Sequence, residues 1–227
     1  MTYRCEAASV EGFVQQLACN LVNKGYWFYV TGRIPSGKDP EGVDRKLIDL
    51  YGLDISKWTR ARRKAKGLAN VAYLRYERFF VLLATQGSHL LFEREGYVND
   101  IRRKPILFHG YSIGCGKGSD GRCHSSVKIS VEAFDELKAH FMNMAIHRSA
   151  QVLAAEFGEI RFIPFARVRR QLLRLLAEVN GMRCASGFSS IGTSALTLRR
   201  TIYRPFRENS AVDDLCNAQN SDRILRL

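Results

Sequence analysis

Residues 69–85 read ANVAYLRYERFFVLLAT, two runs of aromatic, branched and aliphatic side chains, 71–76 and 78–85, that meet at Glu77-Arg78 and stop before Gly87. Runs of this composition suit a pleated surface covered on both faces. They predict two strands, or one long bent strand, at the centre of a sheet. Upstream, YWFYVTG at 26–32 predicts a further buried strand. Before it, Val10, Phe13, Val14, Leu17, Leu21 and Val22 form one helical stripe that ends at Gly25, a helix laid over the core. Downstream, residues 106–113 and 123–130 predict a hairpin. Its connection, 114–122, holds four glycines with Lys117 and Arg122, a loop expected to be mobile when empty. Ser130 then caps a helix through 157. A last helix spans 165–180, with Val168, Leu172, Leu175 and Val179 on one stripe, Arg167, Arg170 and Arg174 on the other faces, and Gly181 as its stop. Beyond it the composition allows one strand, 195–203, and predicts poor order for about the last fifteen residues. The pattern is that of an α+β fold: a mainly antiparallel sheet of about five strands flanked by about five helices. Residues 1–182 form one domain, and 183–227 an Arg-rich, partly disordered C-terminal extension.

A chain of 227 residues that is 46% hydrophobic and 11% aromatic can build a sizeable core. No apolar run reaches the ~18 to 20 residues of a membrane span, and no secretory signal is legible at residues 1–10, so the expected location is cytoplasmic. Six scattered cysteines read as reduced thiols. Cys115, Cys123, His109 and His124 lack the usual spacing of zinc ligands. Neither a metal nor a cofactor is expected.

The net charge of +13 implies a polyanionic partner. The excess is uneven: residues 1–53 are neutral, 54–66 carry six basic side chains against one acid, and 165–182 add a net +3. The densest cluster lies in KLIDLYGLDISKWTRARRKAK, residues 46–66. Asp39 and Pro40 open a helix that closes at Gly52, and Asp54 or Ser56 opens a second that closes at Gly67. The basic pair, residues 40–67, is inserted after the first strand and is similar to a helix-turn-helix. In that motif Leu53 would tuck beneath the pair, Trp58 would pack on the first helix, and Arg60, Arg62, Arg63 and Lys64 would face outward. Phosphate contacts are expected from Lys57, Arg60, Arg62, Arg63, Lys64 and Lys66, from Arg102, Arg103 and Lys104, from Lys117 and Arg122, and from Arg170 and Arg174.

Two other motifs bear on chemistry. Residues 32–39, GRIPSGKD, nearly match a phosphate-binding loop, but Asp39 replaces the metal-ligating hydroxyl and Pro35 removes an amide. Residues 109–124 place His109, Tyr111 and His124 around the glycine-rich hairpin. They would suit a metal-independent nuclease or nickase if the strand register put Tyr111 opposite His124. The leading expectation is a DNA- or RNA-binding component of a mobile-element, replication or defence complex. The alternatives are that nuclease and an interaction subunit of a ribonucleoprotein.

Overall fold

The computed structural model describes residues 3–206. Among the described residues seven strands form two antiparallel sheets, and helices cover them, so the fold is α+β. The first sheet has the order β2 (Val71–Tyr76), β3 (Phe79–Ala84), β1 (Phe28–Arg33), β4 (Asn99–Asp100). The second has the order β5 (Ile106–Phe108), β6 (Tyr111–Lys117), β7 (Cys123–Ile129). The expectation of about five strands in one sheet therefore becomes seven in two.

Alternation in the central strands explains why both faces are apolar. Val71, Tyr73, Leu82 and Ala84 face a core closed by α2 (Pro40–Tyr51) and α4 (Leu90–Arg94), through Tyr51, Leu53 and Leu91. Ala72, Leu74, Val81 and Leu83 face the opposite way. There they meet α1 (Val10–Gln15) and side chains of the second sheet, among them Phe108, Ile113 and Val127. α1 continues through a π-helical turn, Gln16–Leu21, and a 3-10 turn, Val22–Lys24, to the left-handed Gly25, so residues 10–24 are helical throughout. The third core packs α5 (Val131–Met144), α6 (Ala150–Gly158) and α7 (Ala166–Ala185) over Ile129.

Four predicted boundaries move. The strand expected over 106–113 is broken by His109 (φ 44°) and Gly110 (φ 74°), whose paired positive angles suit a two-residue hairpin turn. The helix expected over 130–157 stops at Met144 and restarts after Ser149, which accepts the Val152 amide. Arg183 donates to the Ala145 and Arg148 carbonyls at that break, satisfying acceptors that a helix end leaves open. α7 runs past Gly181 to Ala185 and brings the buried Arg183 to those carbonyls. The strand expected over 195–203 is absent. A 3-10 turn, Thr193–Ala195, opens that segment, and the Gln15 amide bonds both the amide and the carbonyl of Tyr203 in place of a neighbouring strand. Ile191 and Leu196 are buried among the helices, so residues 183–206 pack with the domain. The last fifteen residues lie outside those described.

Candidate functional site

α3 (Lys57–Ala65) is capped by Ser56, whose hydroxyl accepts the Thr59 amide, and is followed by left-handed Gly67. No residue of α3 is buried. Polar ties hold it instead: Arg60 donates to the Leu53 carbonyl, Arg63 to the Ala69 carbonyl, and the Asn70 amide to the Arg60 carbonyl. Leu53 is buried as the helix-turn-helix reading requires, but Trp58, expected to pack on the first helix, is 78% exposed. Arg60 and Arg63 turn inward, because the side of α3 that meets the body carries them, while Lys57, Arg62, Lys64 and Lys66 are exposed. Lys57 and Arg60 line a cleft of about 600 Å³ together with Arg4, Tyr26 and Phe206.

The 102–104 group is partly neutralised. Arg102 forms a bidentate pair with Asp100 and lies 4.6 Å over the Trp27 ring. That hydrogen bonding holds the Asp100 carboxyl below its ordinary range. Lys104 stands 5.8 Å from the Tyr97 ring centroid. Arg103 is exposed and forms no ion pair among the described residues.

The register of the hairpin separates the three nuclease candidates. Tyr111 lies opposite Ile129, and Gly116 lies opposite His124. His109, in the β5–β6 turn, is therefore about 17 Å or more from the His124 end of β6 at ~3.3 Å per residue. The His109 ring packs against Phe108 and Tyr76. Tyr111 is buried, its oxygen accepts the Ile163 amide at 2.8 Å, and burial pushes its phenol up to about 12. It anchors the segment before α7. His124 instead meets both carboxylate oxygens of Asp120 at 2.9 Å, and hydrogen bonding from His124 lowers the Asp120 carboxyl. Gly118 permits this pairing, since a Cβ there would stand 2.7 Å from the His124 ring.

The second cleft, about 510 Å³, opens between this hairpin and the start of α7, and Lys117, His124, Arg167, Arg169, Arg170 and Arg200 line it. Gln171 fixes the geometry by accepting the Ile129 amide and donating to the Ile129 carbonyl, which pins α7 along β7. Arg200 stacks 4.4 Å over Phe165 and donates to the Cys19 thiol at 3.0 Å. Arg167 also borders a smaller cleft of about 150 Å³ shared with Arg102, Arg103 and Lys128. Among the described residues, Lys117, Arg122, Lys128, Arg167, Arg169, Arg170 and Arg200 make no ion pair; Asp120, at the lip, is engaged with His124. The α7 N-terminus has no side-chain cap and no acid in its first turn. Arginines there add to the positive end of the helix dipole, an arrangement that an anion stabilises.

Of the sequence-predicted residues, the cleft gathers Lys117 and Arg170, with Arg122 on the adjoining loop. Arg174 lies further along α7 and pairs with Glu178, which also takes Lys138. Arg167, Arg169, Arg200 and Lys128 were not predicted as contacts. The doublet Arg169-Arg170 just inside a helix start was the available signal for one of these, Arg169. The loop at 32–39 offers no phosphate cradle: Arg78 donates to the Pro35 and Lys38 carbonyls, and Asp39 accepts the Glu41 and Gly42 amides as an ordinary helix cap.

No protein-family model matches the chain, and no curated protein aligns with it significantly.

Proposed function

We propose that the protein binds nucleic acid through the sugar-phosphate backbone, in the cleft between the β6–β7 hairpin and the N-terminus of α7. The observation that carries this reading is the convergence of Lys117, Arg167, Arg169, Arg170 and Arg200 on one concave surface with no ion pair among the described residues. Guanidinium groups suit phosphate because their donors form a planar fork. Two of the five follow each other in α7, and Arg167 carries the charge on toward Arg103 and Lys128, so the surface fits an elongated polyanion better than a single small anion. Contacts of this kind fix the position of a strand and carry no base sequence.

Fluorescence anisotropy of labelled DNA and RNA oligonucleotides tests the reading. Replacing Arg167, Arg169 and Arg170 together with Ala should weaken binding by about a hundredfold, from roughly 1 kcal/mol per lost phosphate contact. Unchanged affinity, with an unchanged circular dichroism spectrum, would remove the cleft from consideration.

One observation favours a second reading, cleavage of the bound strand. His124, oriented by Asp120, is the one member of the predicted catalytic trio that lines the cleft. Loss of strand scission in His124→Ala, with binding retained, is its expected signature; scission that persists in that variant would exclude it.

A further inference from the structure

α3 has a feature that phosphate binding leaves unused. Trp58 is 78% exposed, on a helix whose other outward positions are cations and two alanines. Residues 58, 61, 62 and 65 share one helical stripe by their spacing. Along it Ala61 and Ala65 are small, leaving the space above the indole open, and Arg62 stands one turn beyond. Lys57 and Lys64 border one side of the stripe by the helical period, and Asp54 is the single acid between residues 54 and 66. The result is an exposed indole with small neighbours along its stripe, bordered by positive charge.

The partner that fits is one whose planar faces are joined by anions, and unpaired nucleobases on a phosphate chain have that chemistry. Base pairs in a duplex are already stacked and offer no free face. An anionic membrane matches the charge but not the surface, because beyond Trp58 the stripe presents only two alanines, too little apolar area to hold a helix in the interface. Position agrees with a polymer. Gln16 and Leu21 of the helical segment 16–24 wall the cleft lined by Lys57 and Arg60, while Cys19 and Asn23 of the same segment wall the cleft lined by Lys117 and Arg170. About one helix diameter, ~10 Å, therefore separates the two clefts.

We propose that Trp58 is a stacking platform for an unpaired base, so that the nucleic acid is single-stranded where it crosses α3. This rests on the reading of the neighbouring cleft as a phosphate-binding surface.

The test uses the full chain with a labelled single strand of about 20 nucleotides, a length that exceeds typical single-strand site sizes, and a duplex of equal length. Trp58→Ala should weaken single-strand binding about tenfold while Trp58→Phe retains most of it, as expected for one stacked base. Duplex binding should change little in either variant. Indole fluorescence should be quenched by the single strand in the wild type but not in Trp58→Phe, where Trp27 remains as an internal control. If Trp58→Ala binds the single strand as tightly as the wild type, while an Arg167→Ala/Arg170→Ala variant binds it weakly, the platform is wrong and the cleft reading stands. If the wild type binds neither oligonucleotide, both fall. Quenching by phosphatidylglycerol vesicles and not by the oligonucleotide would also overturn the platform, reassigning α3 to a membrane surface.

Discussion

The α2–α3 pair and the cleft beside α7 are two basic regions built in opposite ways. The first concentrates six cations within thirteen consecutive residues, yet two of them, Arg60 and Arg63, point inward and hold the helix to main-chain carbonyls. The second draws its cations from β6, from α7 and from the segment near residue 200, and its five charges converge on one concavity without ion pairs among the described residues. Charge density along a chain is therefore a poor guide to the field that a ligand meets. What counts is which cations remain unpaired and point the same way.

The two regions can be separated experimentally, and the largest effect is expected at Asp44. This buried carboxylate accepts from Arg75, Tyr73 and Cys5 and ties α2 to β2. Asp44→Ala leaves the buried Arg75 guanidinium with only the half-exposed Glu6 carboxylate and the Glu77 carbonyl and should cost about 3 kcal/mol, a fall in Tm of roughly 10 °C for a chain of this size. Nucleic-acid affinity measured well below that Tm should stay within about twofold if the cleft dominates, since additivity holds for distant sites. A large loss of affinity would show that the helical pair carries the binding.

A smaller effect distinguishes the two kinds of arginine within α3 itself. Arg63→Ala removes a charged hydrogen bond to the Ala69 carbonyl and should lower stability by about 2 kcal/mol in urea unfolding. Arg62→Ala, at an exposed position, should stay within about 0.5 kcal/mol. Equal effects would mean that the inward ties do not hold the helix.

The smallest effect under ordinary conditions concerns alkaline pH. Burial raises Tyr3, beside the α3 cleft, and Tyr111, beneath the start of α7, each to about 12. Both are raised above the unfolded value near 10, so the fold favours their protonated forms. That contribution is intact below pH ~10 and is lost as pH rises toward 12. Tyrosinate absorbance from these residues should appear together with unfolding over that window; full ionisation near pH 10 with the fold intact would contradict their burial.

Much of the scaffold was legible in the sequence because local chemistry and tertiary demand agree there. The mostly apolar runs at 71–76 and 79–84 mark strands covered on both faces, and Asp39-Pro40 is a helix cap by composition alone, whereas composition narrows the second cap to Asp54 or Ser56 and the cap is Ser56. Legibility ends where a distant residue decides. Nothing between 130 and 157 announces a break at residues 145–149, because the partner for the broken helix end is Arg183. The run 106–113 hid its turn because apolar residues flank His109-Gly110 on both sides. In α3 the one large apolar residue, Trp58, suggested the packing side, but Trp58 is exposed and the side that meets the body proved to be arginine. The cleft was only half visible for the same reason: Lys117 and Arg170 stood in charged segments, whereas Arg200 joins them only through its stacking on Phe165.

The central claim, that unpaired cations in the α7 cleft bind phosphates, is tested most directly by the dependence of the wild-type association constant on salt. Five engaged cations predict that log K falls with log salt concentration with a slope of about −3.5 for a single strand or −4.5 for a duplex. The slope should shrink by about 0.7 to 0.9 for each arginine removed from the cleft. A slope near zero, or one unchanged when Arg167, Arg169 and Arg170 are replaced, would contradict it.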